Sequence, residues 1–405
     1  MTAEVLLAPN AMVAGGAALA RDDEGRVVFV DGALPGERVR ARMTEERRDF
    51  ARATAVEVVE ASPDRVAPPC PTLTAGCGGC TWQHVAPGAQ HRLKAAIVLD
   101  ALQRITRLDD PPEPVQVTAH GPALRTTTRL AVSASGRAGH RARSRPGRPG
   151  PADPVVTDTC LVAHPLLEEL VVDGRYPGSG EVLLRVGVAS GERLVRTDAH
   201  GARVEVPTDV VVVRKGERAF VHEEVAGRRF RVSADSFFQP GPVAAEALVT
   251  AVSAAVGDAL GPGGYLIDAY AGVGLFASTL GSASGNVRVT AIEQHPAAVA
   301  DARTNLADLD ARVARSEVGR WRPRQGDRGA DVVVADPSRP GLGRPGVAAL
   351  AGAGATRLVL VSCDPASLAR DARLLAGEGY ALSTLALVDA FPHTFHVEAV
   401  ARFDR

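Results

Sequence analysis

The sequence predicts an α/β protein with three parts: a small N-terminal β-barrel in residues 1–62, a β-rich central region in residues 63–235, and a doubly wound, Rossmann-like domain in residues 236–405. The N-terminal part alternates short β-rich runs with Gly and Pro, a spacing typical of small barrels. From residue 236 onward, apolar runs alternate with Ala-rich segments, which indicates strands joined by helices. A length of 405 residues accommodates two or three such domains.

Composition and charge give little information about a partner. The chain has 46 basic and 47 acidic residues, and Lys94 and Lys215 are its only lysines, so arginine supplies nearly all the positive charge. The N-terminus lacks a basic region followed by an apolar stretch, and no apolar run reaches the roughly 18 residues of a spanning helix. We therefore expect a cytoplasmic protein. In that reducing compartment, clustered cysteines indicate metal binding or catalysis over disulfides.

Three strands are predicted in the N-terminal part, at residues 26–30, 38–43 and 53–59, with a turn at Pro35-Gly36. The run VDGALPGE, residues 30–37, resembles part of the TRAM domain, an RNA-binding barrel. A barrel with only a packing role is the alternative. Charge does not decide between them, because residues 1–62 contain 8 Arg and 11 acidic residues.

The central region opens with a cysteine cluster, followed by a predicted helix at residues 90–105. Cys70, Cys77 and Cys80 lie close together in the sequence, and Cys160 lies far downstream. Four thiolates can hold a [4Fe–4S] cluster or a tetrahedral zinc ion. Glycines among them allow the backbone to fold tightly around a bulky group. Unrelated buried cysteines are the alternative.

An arginine-rich segment follows the predicted helix. Residues 114–152 contain no Asp or Glu and seven arginines, namely Arg125, Arg129, Arg137, Arg141, Arg143, Arg145 and Arg148. Such a run is compatible with contacts to RNA phosphates. Its tail, residues 141–151, is rich in Pro, Gly and Arg and is predicted to be a mobile loop. A solvated loop without an RNA contact is the alternative.

A glycine motif follows the first predicted strand of the C-terminal domain, residues 265–268. Residues 272–277, GVGLFA, fit G-x-G-x-x-A, so a nicotinamide cofactor, S-adenosylmethionine (SAM) and a tight turn without a ligand are all open. Glu293 ends the next predicted strand, where a carboxylate can accept hydrogen bonds from ribose hydroxyls. Asp268, an acid at the end of the strand, favours SAM. Asp336 ends a third predicted strand.

A lone cysteine follows another predicted strand, residues 357–361, and precedes a predicted helix at residues 366–376. In open α/β sheets, the carboxyl ends of the strands line the ligand crevice. Cys363 is therefore a candidate nucleophile, and a distant carboxylate is a candidate base. A small apolar core residue is the alternative, since unpaired cysteines are often buried.

Two blocks near the C-terminus resemble the closing signature of the RNA uracil-C5 methyltransferases, which use SAM to make 5-methyluridine. They are SCDPASLARD (362–371) and FPHTFHVE (391–398). The resemblance extends over nearly the whole chain and implies that Cys363 is the nucleophile and Glu398 the base. Asp364 stands where the family usually has Asn, which affects local hydrogen bonding but not the thiol.

The same resemblance implies a SAM site. DAYAGVGLF (268–276) is similar to the family's D-L-Y-C-G-V-G-x-F, and DPSR (336–339) to its D-P-P-R. Phe237-Phe238-Gln239 resembles the element that contributes a glutamine. The implied cofactor-binding residues are Gln239, Asp268, Tyr270, Gly272, Glu293 and Asp336.

The cysteine pattern resembles that of the family's cluster-bearing members, although six residues separate Cys70 from Cys77 where five are common. This favours a [4Fe–4S] cluster on Cys70, Cys77, Cys80 and Cys160. Methyl transfer needs no redox step, so we expect a structural or RNA-positioning role for the cluster.

Together these features predict SAM-dependent methylation of C5 of a uridine in RNA, with 23S rRNA preferred and tRNA as the alternative. A non-catalytic RNA-binding protein and a nicotinamide oxidoreductase are rival classes. RNA is the expected partner, and we infer no membrane association and no obligate protein partner.

Overall fold

The computed structural model describes residues 4–118, 124–142, 154–199, 201–324 and 329–405. Elements are numbered in chain order. The helices are α1 (Pro87–Thr106), α2 (Pro165–Val172), α3 (Pro242–Val256), α4 (Leu275–Ala283), α5 (Pro296–Asn305), α6 (Gly343–Ala351) and α7 (Pro365–Gly377).

The N-terminal part is a six-stranded sheet in the order β1-β5-β6-β4-β3-β2. Its strands are β1 (Glu4–Leu7), β2 (Ala11–Met12), β3 (Ala18–Arg21), β4 (Val27–Asp31), β5 (Arg38–Glu46) and β6 (Phe50–Glu60). Buried and exposed residues alternate along the first part of β5, as expected for a strand with one face on a core. The predicted N-terminal strands are thus confirmed.

The central region contains a second six-stranded sheet, in the order β10-β9-β8-β11-β12-β13, and a hairpin. The sheet consists of β8 (Thr127–Val132), β9 (Ala138–His140), β10 (Val155–Val156), β11 (Glu181–Val186), β12 (Arg193–Thr197) and β13 (Val210–Arg214). The hairpin is β14 (Phe220–Val225) and β15 (Arg228–Ser233). The predicted β-rich character of this region is confirmed.

An eight-stranded sheet, in the order β18-β17-β16-β19-β20-β22-β21-β7, forms the C-terminal domain. Its strands are β7 (Val115–Val117), β16 (Tyr265–Ala269), β17 (Arg288–Glu293), β18 (Ala311–Arg315), β19 (Val332–Ala335), β20 (Arg357–Ser362), β21 (Ala381–Val388) and β22 (Glu398–Asp404). The strands from β18 to β20 are mutually parallel, and β22 is antiparallel to both β20 and β21. The predicted α/β fold class is confirmed.

Helices cover both faces of this sheet. Successive side chains along each strand point to opposite faces, so the core consists of two clusters, one on each face. Leu266 packs in one cluster with residues of α3 and α4, whereas Ile267 packs in the other with residues of α1, α6 and α7. One described segment, Pro242–Ala259, is apolar and long enough to be considered as a membrane span, but half of it is buried inside the protein. α3 packs against β20, β21 and β22, so it is a core helix of this sheet.

Two elements from the central part of the chain belong structurally to the C-terminal domain. β7 pairs in parallel with β21 at the edge of the sheet. α1, which extends the predicted helix by three residues at its start and one at its end, packs against α7. The helix after the cysteine cluster is thus in contact with the helix that follows Cys363.

Candidate active site

Four predicted site residues lie at the carboxyl ends of parallel strands in the eight-stranded sheet. Asp268 is the penultimate residue of β16, Glu293 ends β17, Asp336 follows β19, and Cys363 follows β20. Because these four strands are parallel and adjacent, their carboxyl ends meet at the same edge. The sheet therefore brings together residues that are up to 95 positions apart in the sequence.

The glycine motif forms the turn between β16 and α4. Tyr270, Gly272 and Gly274 all have positive φ angles, of 60°, 56° and 89°. A Cβ atom added to Gly272 would meet nothing within 4 Å, so the loop faces open space there. Glu293 holds the loop: its Oε2 accepts a hydrogen bond from the Gly272 N–H at 2.9 Å, and its Oε1 accepts from the backbone N–H of His295 at 2.7 Å.

Asp268 is fully buried and keeps one oxygen free. Its Oδ2 accepts a hydrogen bond from the Ala277 N–H in the first turn of α4, at 2.8 Å. Its Oδ1 has no hydrogen-bond partner among the described residues. Burial raises the pKa of Asp268 to about 8. An unpaired buried acceptor beside an open glycine loop fits a ligand that carries hydrogen-bond donors, as the ammonium and hydroxyl groups of SAM do.

Gln239 and Asp336 contact each other directly. The Gln239 side chain is mostly buried, and its Nε2 donates a hydrogen bond to Asp336 Oδ2 at 3.3 Å. Burial raises the pKa of Asp336 to about 7, partly offset by this hydrogen bond. The backbone N–H of Asp336 donates to the carbonyl of Ala269, which links this residue to the end of β16.

Cys363 and Glu398 meet because β22 returns beside β20. The antiparallel register pairs Ser362 with Ala399. Cys363 and Glu398 are the next residues along the two strands, so they lie opposite each other at the carboxyl end of β20. Glu398 is 7% exposed, and burial together with the negative charge of Asp336 raises its pKa well above the usual value. Burial, Glu398 and Asp336 raise the pKa of the Cys363 thiol to about 11.

Arg339 is a site residue to which the sequence analysis gave no role. It is exposed, and its positive charge lowers the pKa of both Cys363 and Glu398, opposing the carboxylates. The available signal was its position at the end of the DPSR block, three residues after Asp336.

Asp364, which stands where the resembled signature has Asn, caps helix α7. Its side chain accepts a hydrogen bond from the Ser367 N–H at 2.7 Å. Asn and Asp are comparable helix N-caps, so the replacement retains this local hydrogen bonding. The Ser367 hydroxyl donates to the carbonyl of Arg339 at 2.6 Å, which ties the start of α7 to the DPSR block.

A histidine not identified from the sequence lies two residues before Glu398. Burial, followed by the positive charges of Arg339, Arg125 and Lys94, lowers the pKa of His396 to about 4. The imidazole is therefore neutral at neutral pH.

The four clustered cysteines line a single cavity outside this site. It has about 370 Å³ of empty space, part of it open to solvent, and is lined by Cys70, Cys77, Cys80, Cys160 and His140 among others. Within the described parts of the chain, no group of three or more His, Cys, Asp or Glu residues that could hold a metal ion is found. The fold thus collects the predicted ligands around one cavity without identifying an occupant.

The arginine-rich segment is described only in part, because Arg143, Arg145 and Arg148 lie outside the described residues. Arg129 and Arg137 form salt bridges with Glu181 at 2.8 Å and Asp158 at 2.7 Å. Arg141 lies 3.7 Å from Glu181. Arg125 donates to the carbonyl of Gly79 in residues 70–80, called the cysteine segment below. These bonds give the four described arginines contacts within the protein, so contact with RNA stays a prediction.

Comparison with known proteins identifies the family. The TRAM domain family model matches residues 2–56. An uncharacterized RNA methyltransferase from Streptomyces coelicolor is 41% identical, over 96% of this chain and 90% of that protein. The 23S rRNA (uracil(1939)-C(5))-methyltransferase RlmD from Acidithiobacillus ferrooxidans is 33% identical, over 94% of this chain and 93% of that protein.

A solved structure has the same fold. The tRNA (uracil-54, C5)-methyltransferase of Pyrococcus abyssi, in complex with S-adenosyl-L-homocysteine, matches with a TM-score of 0.73 at 23% identity, over 98% of this chain and 100% of that one. The relatives favour SAM over a nicotinamide cofactor and an enzyme over a non-catalytic RNA-binding protein. From its relatives and its fold, the chain belongs to the TRAM-containing RNA methyltransferases and is a SAM-dependent enzyme of that family.

Proposed function

We propose that this enzyme methylates C5 of a uridine in RNA through a covalent intermediate between Cys363 and C6 of the base. The observation that carries the proposal is the meeting of Cys363 and Glu398 across β20 and β22. A thiol and a buried carboxylate lie at the same end of the sheet as the glycine turn between β16 and α4, so they supply a nucleophile and a base beside the proposed SAM site. To reach these residues, the target base has to leave its stack.

The chemistry requires both residues because C5 of uracil is a poor nucleophile. The Cys363 thiolate adds to C6, forming an S–C6 bond and an enolate whose electron pair is available at C5. Bound SAM supplies the electrophilic methyl group for C5. Glu398 then accepts the C5 proton, the C5–C6 double bond re-forms, and the S–C6 bond breaks to regenerate the thiolate. Burial raises the pKa of Glu398, which makes its carboxylate a stronger base.

We propose 23S rRNA as the substrate, because the relative from Acidithiobacillus ferrooxidans acts on 23S rRNA by its name and aligns over nearly the full length of both chains. The protein of Pyrococcus abyssi acts on tRNA, but its identity of 23% supports a likeness of fold only. Mapping 5-methyluridine in the rRNA and tRNA of a deletion strain distinguishes the two: loss from tRNA alone would overturn the preference for rRNA.

We also propose that Cys70, Cys77, Cys80 and Cys160 hold a [4Fe–4S] cluster. All four thiols line one cavity, and four cysteine thiolates are the ligand set that a [4Fe–4S] cluster uses. The cluster would join the cysteine segment to Cys160, which precedes α2. We assign it no step in methyl transfer.

Glu398→Gln tests the mechanism, because glutamine retains the shape of glutamate but cannot accept a proton at neutral pH. Addition of Cys363 and methylation should proceed, whereas elimination should stall. With RNA and SAM, we expect a covalent enzyme–RNA adduct, seen as a slowly migrating band on a denaturing gel.

Two controls accompany this test. Cys363→Ala should abolish methyl transfer and leave SAM binding nearly intact, and the double variant Cys363→Ala/Glu398→Gln should form no adduct. Release of methylated RNA by Glu398→Gln at the wild-type rate would assign the base to another group, with His396 next to be tested. Normal turnover by Cys363→Ala would overturn the covalent mechanism.

A further inference from the structure

The loop that delivers Glu398 is irregular and depends on contacts from outside. It comprises residues 389–397, between Val388 at the end of β21 and Glu398 at the start of β22, and is called the base loop below. No helix or strand covers these residues. The Thr394 hydroxyl donates to the Phe391 carbonyl at 2.8 Å and accepts from the His396 N–H at 3.2 Å within the loop. Further contacts come from side chains outside it.

A buried lysine of α1 binds the start of the base loop. Lys94 is only 2% exposed, and its Nζ donates hydrogen bonds to Asp389 Oδ1 at 2.6 Å and to the Phe391 carbonyl at 3.1 Å. His91, one turn earlier on α1, lies with its Nε2 3.0 Å from Asp389 Oδ2. Removing an ammonium group from water is costly, and an apolar side chain at this place would avoid that cost. The buried ion pair is thus weak evidence for a role in stability alone.

A glutamine of the same helix binds the middle of the base loop. Gln90 is also only 2% exposed, and its Oε1 accepts a hydrogen bond from the His393 N–H at 2.8 Å. The Trp82 N–H donates to the His393 carbonyl at 2.8 Å, and Gln90 Nε2 donates to the Val85 carbonyl at 2.9 Å. His393 has a φ of 63°, a conformation that a non-glycine residue rarely adopts. Both of its backbone polar groups are thus held from outside the loop.

The same contacts join the base loop to the other two parts of the protein. Trp82 follows the cavity-lining Cys80 by two residues, and its indole N–H donates to the Gly16 carbonyl of the N-terminal part at 3.1 Å. Phe395 of the base loop lies against Gly16, where an added Cβ would come within 2.6 Å of the phenylalanine ring.

We propose that Lys94 and Gln90 are positioning residues that fix the base loop so that Glu398 can reach the C5 proton of the substrate held on Cys363. This rests on the proposed function. Neither side chain acts on the substrate itself: each binds backbone or side-chain groups of the loop. Loss of either contact affects the elimination step and leaves SAM binding and thiol addition largely intact.

Lys94→Met tests the proposal, and Lys215→Met is the matched control because the only other lysine is exposed. We expect kcat to fall roughly ten- to hundredfold, the size of effect that a small misplacement of a catalytic group can produce. The kcat/KM for RNA and the Kd for SAM should stay near the wild-type values, because binding, thiol addition and methylation precede the affected step. At steady state, a larger fraction of the variant should be present as the covalent RNA adduct. The control should behave as wild type.

Lys94→Met leaves the Asp389 carboxylate without its cation, which can destabilise the fold. An effect on folding must therefore be separated from an effect on the position of the base loop. The double variant Lys94→Met/Asp389→Leu removes both charges, which is better tolerated than removing one. If the single variant does not fold, the double variant carries the test, with the same expected increase in adduct.

Hydrogen exchange of a peptide covering the base loop measures how firmly the loop is held, and it does not depend on the enzyme being active. The His393 amide should exchange faster in the Lys94 variants and in Gln90→Leu than in wild type or Lys215→Met. Unchanged exchange, or wild-type product release with no increase in adduct, overturns the positioning role. If wild-type enzyme makes no 5-methyluridine and Glu398→Gln traps no adduct, the proposed function fails instead, and the exchange rates still decide whether Lys94 and Gln90 fix the loop.

Discussion

Cys363 is surrounded by charges that act on its thiol in opposite directions. Burial and the carboxylates of Glu398 and Asp336 raise its pKa, and Arg339 lowers it. The nucleophile is the thiolate, so each of these charges affects the fraction of enzyme that can add to the base. Arg339 is the one cation found to favour the thiolate in the described part of the site.

Arg339→Gln should move the pH–rate profile to higher pH. Loss of the positive charge raises the pKa of Cys363, so the rate that increases as the thiol ionises reaches half its maximum at a higher pH. Because Arg339 is exposed and screened by solvent, we expect a shift of less than about one pH unit.

The measurement is kcat against pH at saturating RNA, with Arg344→Gln as the control, since Arg344 is also exposed. A profile that moves to lower pH, or moves equally in both variants, would contradict the assigned role of Arg339.

Among the elements, α7 holds two parts of the site together. It begins at Pro365, two residues after Cys363. From its second turn, the Asp371 side chain accepts hydrogen bonds from the Leu342 N–H at 2.6 Å and the Gly343 N–H at 3.0 Å. The helix that follows the nucleophile therefore also fixes the segment between Asp336 and α6.

Gly341→Ala should disrupt this contact, and Gly354→Ala is its control. Both glycines have positive φ, of 81° and 75°, so an alanine is strained at either position by about 1–2 kcal/mol. Only at Gly341 would the added Cβ overlap Asp371 Oδ2, whereas at Gly354 it would meet nothing within 4 Å.

We expect Gly341→Ala to lower the free energy of unfolding by about 1–3 kcal/mol more than Gly354→Ala does. It should also reduce kcat, because the segment that carries Asp336 and Arg339 shifts. If chemical denaturation shows equal losses of unfolding free energy for Gly341→Ala and Gly354→Ala, the Asp371 side chain moves away from the added methyl group without destabilising the protein.

At the scale of the whole molecule, the three parts of the chain converge on the base loop. Trp82 connects the cysteine segment to His393 and to Gly16. A group that orders the cysteine cavity would thereby also order the surroundings of Glu398. This gives the proposed cluster a structural role that needs no electron transfer.

Anaerobic purification should yield a brown, oxygen-sensitive protein with roughly four iron atoms per chain. Cys160→Ser should lower the iron content, because this residue lines the cavity, whereas Cys363→Ser should leave it unchanged, because Cys363 lies outside it. Iron and acid-labile sulfide analysis measures both. Stoichiometric zinc without iron in such a preparation would contradict the iron–sulfur proposal and assign the site to zinc.

The strands, the glycine turn and the site residues at strand ends could be predicted from the sequence. Apolar runs such as residues 357–361 are long enough to identify a buried strand, and glycines after a strand indicate a tight turn. Glu398, in contrast, was assigned as the base only by resemblance. Nothing in its local sequence indicates that it lies beside Cys363.

Only the tertiary structure decided which distant residues meet. Periodicity assigns a residue to a strand face but does not give the order of strands in a sheet, so it does not predict that β22 inserts between β20 and β21. The burial of Lys94 beside Asp389, the charge of Arg339 at the thiol and the addition of β7 to the sheet depend on the same long-range order. The sequence by itself determined the elements and the chemical groups, and the packing of those elements determined which groups act on one another.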